Sequence, residues 1–347
     1  MNTSASNLHF QHYWYIACQS KQLKRSRPLF RCILDQWIVL FRDNDGLPHA
    51  LSDRCIHRNF QLSKGCVKNG LIQCPYHGWT YDKDGVVHNI PAEGEDFKKL
   101  SSRKTQSFEC KEIDDLIYIR LKSHPEIETN LFRMPAYKKK GFKTVRLFNI
   151  FKNNVTNCAE NFVDVPHTVF VHDKIFRESR GDLVEAEVTR SDGVVKIDYL
   201  KETNNLGWFS WFLNPKGNEI KHTDYFHMPN ITSVEYVFSP GKEFIITSQS
   251  VPVNEWETHV YTDLTFNFGF WNLFAGPIVK YQGQSVINQD LEVLENQSKI
   301  IQKFGESFQN SRADIVHVLI ESIREAIKQG KDPKELPHKM HKFRFWI

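Results

Sequence analysis

Cys55-Ile56-His57 and Cys74-Pro75-Tyr76-His77-Gly78-Trp79 are the two stretches that decide the fold of this chain. Each stretch joins one thiol donor to one imidazole donor, with one residue between them in the first and two in the second. Sixteen residues separate the two stretches. Four donors at short, fixed spacing predict a metal centre that is held between two loops, with Cys55, His57, Cys74 and His77 as its ligands.

Two kinds of metal centre accept two cysteines and two histidines. In a Rieske [2Fe–2S] cluster, two thiolates hold one iron and two imidazoles hold the other. A structural zinc site takes the same donors, but zinc fingers group cysteine with cysteine and histidine with histidine. Here each loop contributes one of each, which favours the cluster. Gly78 and Trp79 agree with it, because glycine lets the backbone approach the cluster and tryptophan can shield it from water.

Composition and charge indicate a globular protein without a nucleic-acid surface. The chain has 347 residues, 40% of them hydrophobic, which is enough for two cores of ordinary size. Its 45 Lys and Arg residues are interspersed with 41 Asp and Glu residues, so no basic block favours nucleic acid or an anionic membrane. No apolar run approaches the ~20 residues of a membrane span.

Seven cysteines, an odd number at irregular spacing, and the absence of a signal-peptide pattern favour the reducing cytoplasm. The cysteines outside the two loops are predicted to be ordinary buried thiols: Cys18, Cys32, Cys66, Cys110 and Cys158.

The chain is predicted to be α+β and to divide into residues 1–135 and 136–347. Short β-branched and aromatic segments, such as Tyr13 to Ala17 and Ile33 to Phe41, predict an antiparallel all-β domain around the metal loops. Prolines and lysines between Ser123 and Gly141 are typical of a linker. Beyond it we predict an antiparallel sheet and C-terminal helices. The strand-like runs are 184–190, 194–200, 207–213, 231–238, 243–250 and 258–268, and the helical ones are 283–304 and 312–328.

A second candidate metal site lies in the segment from Asn157 to His172. His167 and His172 are five residues apart, and Asp164 precedes the first by three. Histidines at this spacing are a weak signal alone, since either could be an ordinary core residue. Pro166 also interrupts any continuous helix through the segment. Two histidines and one carboxylate would make the facial site of a non-haem Fe(II) oxygenase.

Asp290 is the candidate for the missing carboxylate. At 100° per residue it lies at the centre of an apolar stripe on the predicted helix, while Glu292 and Glu295 fall on the other side. The stripe consists of Val286, Ile287, Val293, Leu294 and Ile301. A core-facing carboxylate costs several kcal/mol unless it is paired or bound to a metal. Asp290 is therefore either in a buried ion pair or the third ligand, and the two other motifs favour the ligand.

Asp164 is predicted to hydrogen-bond the far nitrogen of a metal-bound histidine. The alternative is an acid placed at a helix end.

Three motifs together resemble the Rieske non-haem iron oxygenases, specifically their oxygenase (α) component. The two loops are similar to the family's cluster loops. Asn161-Phe162-Val163-Asp164 with His167 and His172 is similar to its iron motif, and Gln289-Asp290 to the helix that bears its carboxylate ligand. The length and the Cys-Pro-Tyr-His-Gly-Trp form resemble the homotrimeric branch of vanillate demethylases, dicamba monooxygenase and pheophorbide oxygenases.

This resemblance implies a Rieske domain followed by a helix-grip, START-like catalytic domain, assembled head to tail as a trimer. It implies one [2Fe–2S] cluster and one mononuclear Fe(II), held by His167, His172 and Asp290. It also implies that each cluster, through His77, passes its electron to a neighbouring subunit's iron, with Asp164 as the bridge to His167.

The electrons must come from other proteins. The chain has neither a G-x-G-x-x-G dinucleotide motif nor a ferredoxin-type cysteine motif. We expect a separate flavoprotein reductase that uses NAD(P)H, with or without a ferredoxin.

The expected function is hydroxylation or oxidative demethylation of an apolar organic substrate with O2. An electron carrier or ligand-binding protein without oxygenase activity is the alternative. Phe226, Tyr236 and Phe270 are equally candidates for substrate contacts and for core positions.

Overall fold

A computed structural model describes residues 9–124, 127, 129–172, 183–200 and 220–346. The chain divides into two compact units, Met1–Arg133 and Met134–Ile347. No helix in these described ranges is both long and apolar enough to cross a membrane.

The first unit consists of antiparallel sheet, as predicted. In its described residues, one sheet has the strand order β1-β10-β9-β4-β3-β2 and a smaller one the order β5-β6-β7-β8. The strands are β1 (Trp14–Gln19), β2 (Leu29–Ile33), β3 (Gln36–Arg42), β4 (Pro48–Ser52), β5 (Cys66–Lys68), β6 (Leu71–Gln73), β7 (Thr80–Tyr81), β8 (Val87–Asn89), β9 (Ser107–Ile113) and β10 (Leu116–Arg120).

One strand of this unit was predicted with the wrong start. The run from Ile33 to Phe41 is not one strand, because Leu34 and Asp35 form a tight turn between β2 and β3. Both residues have positive φ, 51° and 60°, the backbone of a two-residue hairpin turn. Neither is glycine or asparagine, so the sequence gives little sign of the turn.

The second unit is one antiparallel sheet with helices. Among its described residues the strand order is β11-β17-β16-β15-β14-β13-β12-β18. The strands are β11 (Lys143–Phe151), β12 (Leu183–Ser191), β13 (Val194–Tyr199), β14 (Lys221–His227), β15 (Ile231–Ser239), β16 (Lys242–Asn254), β17 (Glu257–Asn267) and β18 (Lys339–Trp346). The helices are α1 (Val155–Asn161), α2 (Thr168–Val171), α3 (Asn272–Phe304) and α4 (Ile315–Lys328).

Five of the six strands predicted for this unit are present, and the sixth, 207–213, lies outside the described residues. Strands β11, β14 and β18 were not predicted. Both β14, Lys-His-Thr-Asp-Tyr-Phe-His, and β18, Lys-Met-His-Lys-Phe-Arg-Phe-Trp, carry polar side chains that hide a strand pattern. Sheet pairing on both sides of β14 stabilises it regardless.

Helix α3 begins eleven residues before its predicted start and packs on β11 and β17. At Gly283 the approach is close, since a Cβ there would lie 2.4 Å from Cδ1 of Leu264. Asp290 is on the buried face, as predicted, but Val293 is 41% exposed rather than part of it. The buried residues of the helix are Val279, Ile287, Asp290, Leu294, Ser298 and Ile301.

Candidate metal centres

The first cysteine–histidine loop is closed by backbone hydrogen bonds around its cysteine. The N–H group of Cys55 donates to the carbonyl of Phe60 at 2.8 Å, and the N–H group of Asn59 donates to the carbonyl of Cys55 at 3.0 Å. Asn59 has a φ of 59°, a left-handed conformation that asparagine tolerates better than most residues.

The second loop repeats this pattern at the same offsets. The N–H group of Cys74 donates to the carbonyl of Trp79 at 2.9 Å, and that of Gly78 to the carbonyl of Cys74 at 3.1 Å. Gly78 takes the left-handed position with a φ of 74°, and a Cβ there would lie 2.9 Å from Cγ of Pro91. Glycine is therefore required for two reasons: the backbone conformation is left-handed, and Pro91 leaves no space for a Cβ. The two loops present their cysteines in equivalent turns.

The four side-chain donors differ in exposure. The thiols of Cys55 and Cys74 are buried in the apolar core of the smaller sheet, at 2% and 1% exposure. His57 is half-buried and His77 is exposed. Their rings lie 4.5 Å apart between centroids, and the ring of His57 stacks on Trp79 at 4.7 Å and 3°. Sulfur donors inside and imidazole donors outside fit a cluster with one thiolate-bound and one imidazole-bound iron.

Tyr81 contacts this donor set, a contact that was not predicted from the sequence. Its hydroxyl lies 3.1 Å from Sγ of Cys55 and accepts a hydrogen bond from the N–H group of Ile56 at 3.2 Å. Burial and the neighbouring thiol raise the pKa of Tyr81 above its usual value, so the hydroxyl keeps its proton. A protonated phenol beside a cluster sulfur can donate a hydrogen bond to it.

The structure brings together the three residues predicted for the second centre. Nε2 of His172 lies 3.2 Å from Oδ1 of Asp290, and Nε2 of His167 lies 3.6 Å from the same oxygen. The two Nε2 atoms are 3.3 Å apart. Asp290 and His172 are buried, and His167 is largely so. Three donors of this kind converging on one point fit a single metal ion with an open side.

The chain reaches this geometry by breaking its helix, as Pro166 predicted. Helix α1 ends at Asn161, a turn follows, and α2 begins at Thr168. His167 and His172 flank α2 and so both face Asp290.

Charge also favours a cation at this point. Burial alone would raise the pKa of the Asp290 carboxyl, but its contacts with His167 and His172 lower it to about 2. Burial would likewise lower the pKa of His167, yet Asp164 and Asp290 raise it to about 9. A positive charge is thus stabilised beside the Asp290 carboxylate, and a metal ion would take the place of the proton.

Neighbouring side chains hold the three donors. The side-chain amide of Asn161 donates to Oδ1 of Asp290 at 2.9 Å. Oε1 of Gln289 lies 2.8 Å from Nδ1 of His172. Asp164 lies with Oδ2 3.4 Å from Nδ1 of His167 and is 46% exposed. It therefore lies beside the far nitrogen of His167, but that nitrogen makes no hydrogen bond to the described residues, so the predicted hydrogen bond stays a prediction.

The donors lie at the wall of a cavity of about 150 Å³. The inward side chains of β14 to β17 form one side of the cavity and α3 forms the other. Tyr236 lines it, whereas Phe226 is fully buried elsewhere and Phe270 is 77% exposed, so neither is among the described lining residues. Its apolar wall includes Phe162, Val234, Phe244, Ile246, Leu264, Val279, Val286 and Ile287.

Comparisons with known proteins agree with both sites. Residues 13–110 match the model of the Rieske [2Fe-2S] domain, and residues 151–320 match that of the vanillate O-demethylase oxygenase C-terminal domain. The oxygenase component of dicamba O-demethylase from Stenotrophomonas maltophilia is 30% identical over 81% of this chain and 86% of that protein. The chain belongs to the Rieske oxygenase family.

Other relatives of this Rieske oxygenase match over shorter stretches. Methylxanthine N3-demethylase NdmB from Pseudomonas putida is 31% identical over 47% of this chain and 48% of that protein. Among solved structures, Pseudomonas putida NdmA with caffeine superposes with a TM-score of 0.82 at 21% identity, covering 97% of this chain and 98% of that one. Dicamba monooxygenase bound to dicamba gives 0.75 at 22% identity, covering 92% and 98%.

These comparisons confirm the predicted fold class, an all-β Rieske domain followed by an antiparallel sheet with C-terminal helices. They also confirm an oxidoreductase of the Rieske oxygenase type. The two matched domains are those that carry a [2Fe–2S] cluster and a mononuclear iron, and the donor sets described above fit these two groups.

Proposed function

We propose that this Rieske oxygenase oxidises a compact, mainly apolar organic substrate in the cavity beside His167, His172 and Asp290, by hydroxylation or oxidative demethylation. The observation that carries the proposal is the convergence of these three donors at the wall of a buried apolar cavity. The names of the relatives agree with it, since they are demethylases of dicamba and of methylxanthines.

The two metal groups are assigned to separate parts of the chain. Cys55, His57, Cys74 and His77 hold the cluster in a domain of residues 1–135. His167, His172 and Asp290 hold the iron in a domain of residues 136–347. The bound iron supplies the site at which O2 is reduced. The protein's own contribution is to orient the imidazoles through Gln289 and Asp164, to fix Asp290 through Asn161, and to exclude water with the apolar wall.

The electron path of the proposal runs from His77 to the iron of a neighbouring copy in a homotrimer, with Asp164 as the bridge. Two local observations support it. His77 is the exposed donor of the cluster loops, so its edge is available to another surface. Asp164 contacts His167 with one oxygen while almost half of its side chain remains exposed, which lets it meet a second partner.

Electrons reach the cluster from a separate flavoprotein reductase that uses NAD(P)H, with or without a ferredoxin. The relative's name, an oxygenase component, supports a system of several proteins. We place the enzyme in the cytoplasm, in keeping with cysteines that form no disulfide in the described residues.

Iron content per chain tests the proposal. We expect about three irons in the purified protein and about two in His167→Ala, with the visible spectrum of the cluster unchanged in the variant. Substrate-stimulated O2 consumption with a surrogate reductase should disappear in the same variant. Two irons in the unmodified protein, without O2 consumption for any substrate, would identify an electron carrier instead. Zinc without visible absorption would identify a structural module.

A further inference from the structure

The cavity next to the proposed iron site is apolar except for a few polar atoms on the sheet and on α3. Cross-strand pairing places three hydroxyl side chains in one inward-facing row. Thr232 on β15 is opposite Ser248 on β16, and Ser248 is opposite Thr262 on β17. All three line the cavity.

The hydroxyls of this row differ in their partners. Oγ of Ser248 lies 3.1 Å from Oγ1 of Thr262, so these two satisfy one another. Oγ1 of Thr232 has no hydrogen-bond partner among the described residues, although the residue is 0% exposed. Leaving a buried hydroxyl without a partner is unfavourable, because the group loses its hydrogen bonds to water and gains none in return. Within the described part of the chain, Thr232 is thus a polar side chain that points into an apolar cavity without a partner.

A second unpartnered atom lies on the helix side of the same cavity. Oε1 of Gln282 is buried and makes no hydrogen bond to any residue in the ranges that the structure describes. Gln282 on α3 and Thr232 on β15 therefore both line this cavity. A hydroxyl and an amide can each donate and accept.

Three acidic side chains line the cavity, Asp164, Asp224 and Asp290, and each already has a neighbouring partner. Asp224 accepts from the ring of His222 at 2.8 Å and from the hydroxyl of Tyr199 at 3.1 Å. Asp290 belongs to the proposed iron site. No arginine or lysine is found among the described residues that line the cavity. Apart from the proposed iron, a substrate carboxylate would therefore face three carboxylates, and no arginine or lysine among the described lining residues.

We propose that Thr232 and Gln282 are specificity-determining residues that bind a neutral hydrogen-bonding group of the substrate, an amide, a lactam or a hydroxyl. This inference rests on the proposed function only in taking the cavity as the substrate site. The apolar wall holds the rest of the molecule, and the two polar atoms select its orientation against the iron.

The first test compares two identical substitutions in the ligand-free protein. Thr232→Val removes a hydroxyl without a partner, so the melting temperature should stay the same or rise by roughly 2–4 °C. Thr262→Val, the matched control, breaks the hydrogen bond to Ser248 and should lower it by a similar amount. A fall in Thr232→Val as large as that in the control would show a structural partner for Thr232 and overturn the proposal.

The second test measures binding of three probes of similar shape to the metal-loaded protein without O2, by calorimetry. The probes are 4-methoxybenzamide, 4-methoxybenzoate and 4-methylanisole. We expect the amide to bind about 3- to 10-fold more tightly than 4-methylanisole, and the benzoate to bind least tightly. Thr232→Val should abolish the preference for the amide, whereas Thr232→Ser should keep it. Tightest binding of the benzoate, an unchanged preference in Thr232→Val, or failure of the amide to bind would overturn the proposal.

O2 consumption with the same probes separates this inference from the proposed function. Thr232-dependent binding of the amide without any O2 consumption would contradict the oxygenase function and leave the inference standing. Oxidation of the probes with no dependence of binding on Thr232 would support the oxygenase function and contradict the role of Thr232.

Discussion

The side-chain oxygen of Gln289 lies 2.8 Å from Nδ1 of His172. The next residue, Asp290, has its carboxylate 3.2 Å from Nε2 of the same ring. Because the amide oxygen can only accept, it favours a proton on Nδ1, which leaves Nε2 as the nitrogen that could bind a metal ion. One helix, α3, thus supplies both a proposed iron ligand and the group that orients another.

Gln289→Leu removes this acceptor while keeping a side chain of similar size. We expect the affinity for Fe(II) to fall roughly 10- to 100-fold, since partners that orient a ligand contribute on this scale. The measurement is competition with a chelator, followed by iron content and the cluster spectrum, which should not change. Gln302→Leu, near the end of the same helix, is the control and should bind iron normally. Equal affinity in the two variants would show that Gln289 does not orient His172.

Asp164→Asn tests the proposed bridge between cluster and iron. The substitution keeps the size of the side chain but removes the charge beside Nδ1 of His167. We expect both metals to be retained and single-turnover oxidation of the reduced cluster, in the presence of substrate, to slow roughly 10- to 100-fold. Stopped-flow absorbance of the cluster follows this step. Asp84→Asn, at an exposed acid of the first unit, should oxidise at the original rate. An unimpaired rate in Asp164→Asn would exclude the bridging role.

Tyr81→Phe removes the hydroxyl next to Sγ of Cys55. Hydrogen bonds to the sulfurs of an iron–sulfur cluster stabilise its reduced, more negative state, so their loss lowers the reduction potential. A hydrogen bond of ~1 kcal/mol corresponds to roughly 40 mV for one electron. A spectroscopic redox titration would detect a decrease of this size. Tyr118→Phe provides a buried tyrosine of the same unit as a control for general effects on packing. A potential that stays the same in Tyr81→Phe would show that the hydroxyl does not donate to the cluster.

The ion pair between Glu160 and His317 predicts a dependence of stability on pH. Burial raises the pKa of Glu160 above its ordinary 4.5, and the Glu160 carboxylate raises the pKa of His317 above its ordinary 6.5. Both groups bind protons more tightly in the folded state. Their contributions to the free energy of unfolding are therefore complete at pH values below the ordinary pKa values. These contributions are lost as the pH rises through the raised pKa values. The other charged groups that act on this pair are Asp314, Glu321 and Arg324.

We expect the melting temperature to fall as the pH is raised from 6 upward, and His317→Gln to flatten this part of the profile. Differential scanning calorimetry across the range measures both. An identical slope in the variant would exclude the pair as its source.

The sequence predicted which candidate donors would lie together better than it predicted the sheet that supports one of the two groups. Cys55, His57, Cys74 and His77 are separated by fixed short spacings, so their proximity is a local property of two loops. Asp290 was found because a carboxylate inside an apolar helical stripe is unfavourable without a partner. Tyr81 and Gln289 could not be found in this way, because their contacts depend on tertiary packing and their sequence surroundings are ordinary.

Strand β14 and the lining of the cavity could not be predicted from the sequence. His222 and Asp224 satisfy each other only because they alternate on one face of a strand whose neighbours bury it. Read along the sequence, the same residues are typical of a polar loop. For Phe226 both alternatives stayed open, since an aromatic residue in a strand gives no indication of whether it faces a cavity or the core.

The interruption of the helix at Pro166 has a consequence for how the enzyme matures. The two proposed histidine ligands flank a helix of four residues, which is too short to be stable alone, whereas Asp290 lies in one of 33 residues. Iron bound between them would fasten the short segment to the long one, so that part of its binding energy becomes folding energy. Protease resistance of the segment around residue 168 would then report on iron loading, and iron supply during synthesis would set how much of the protein survives.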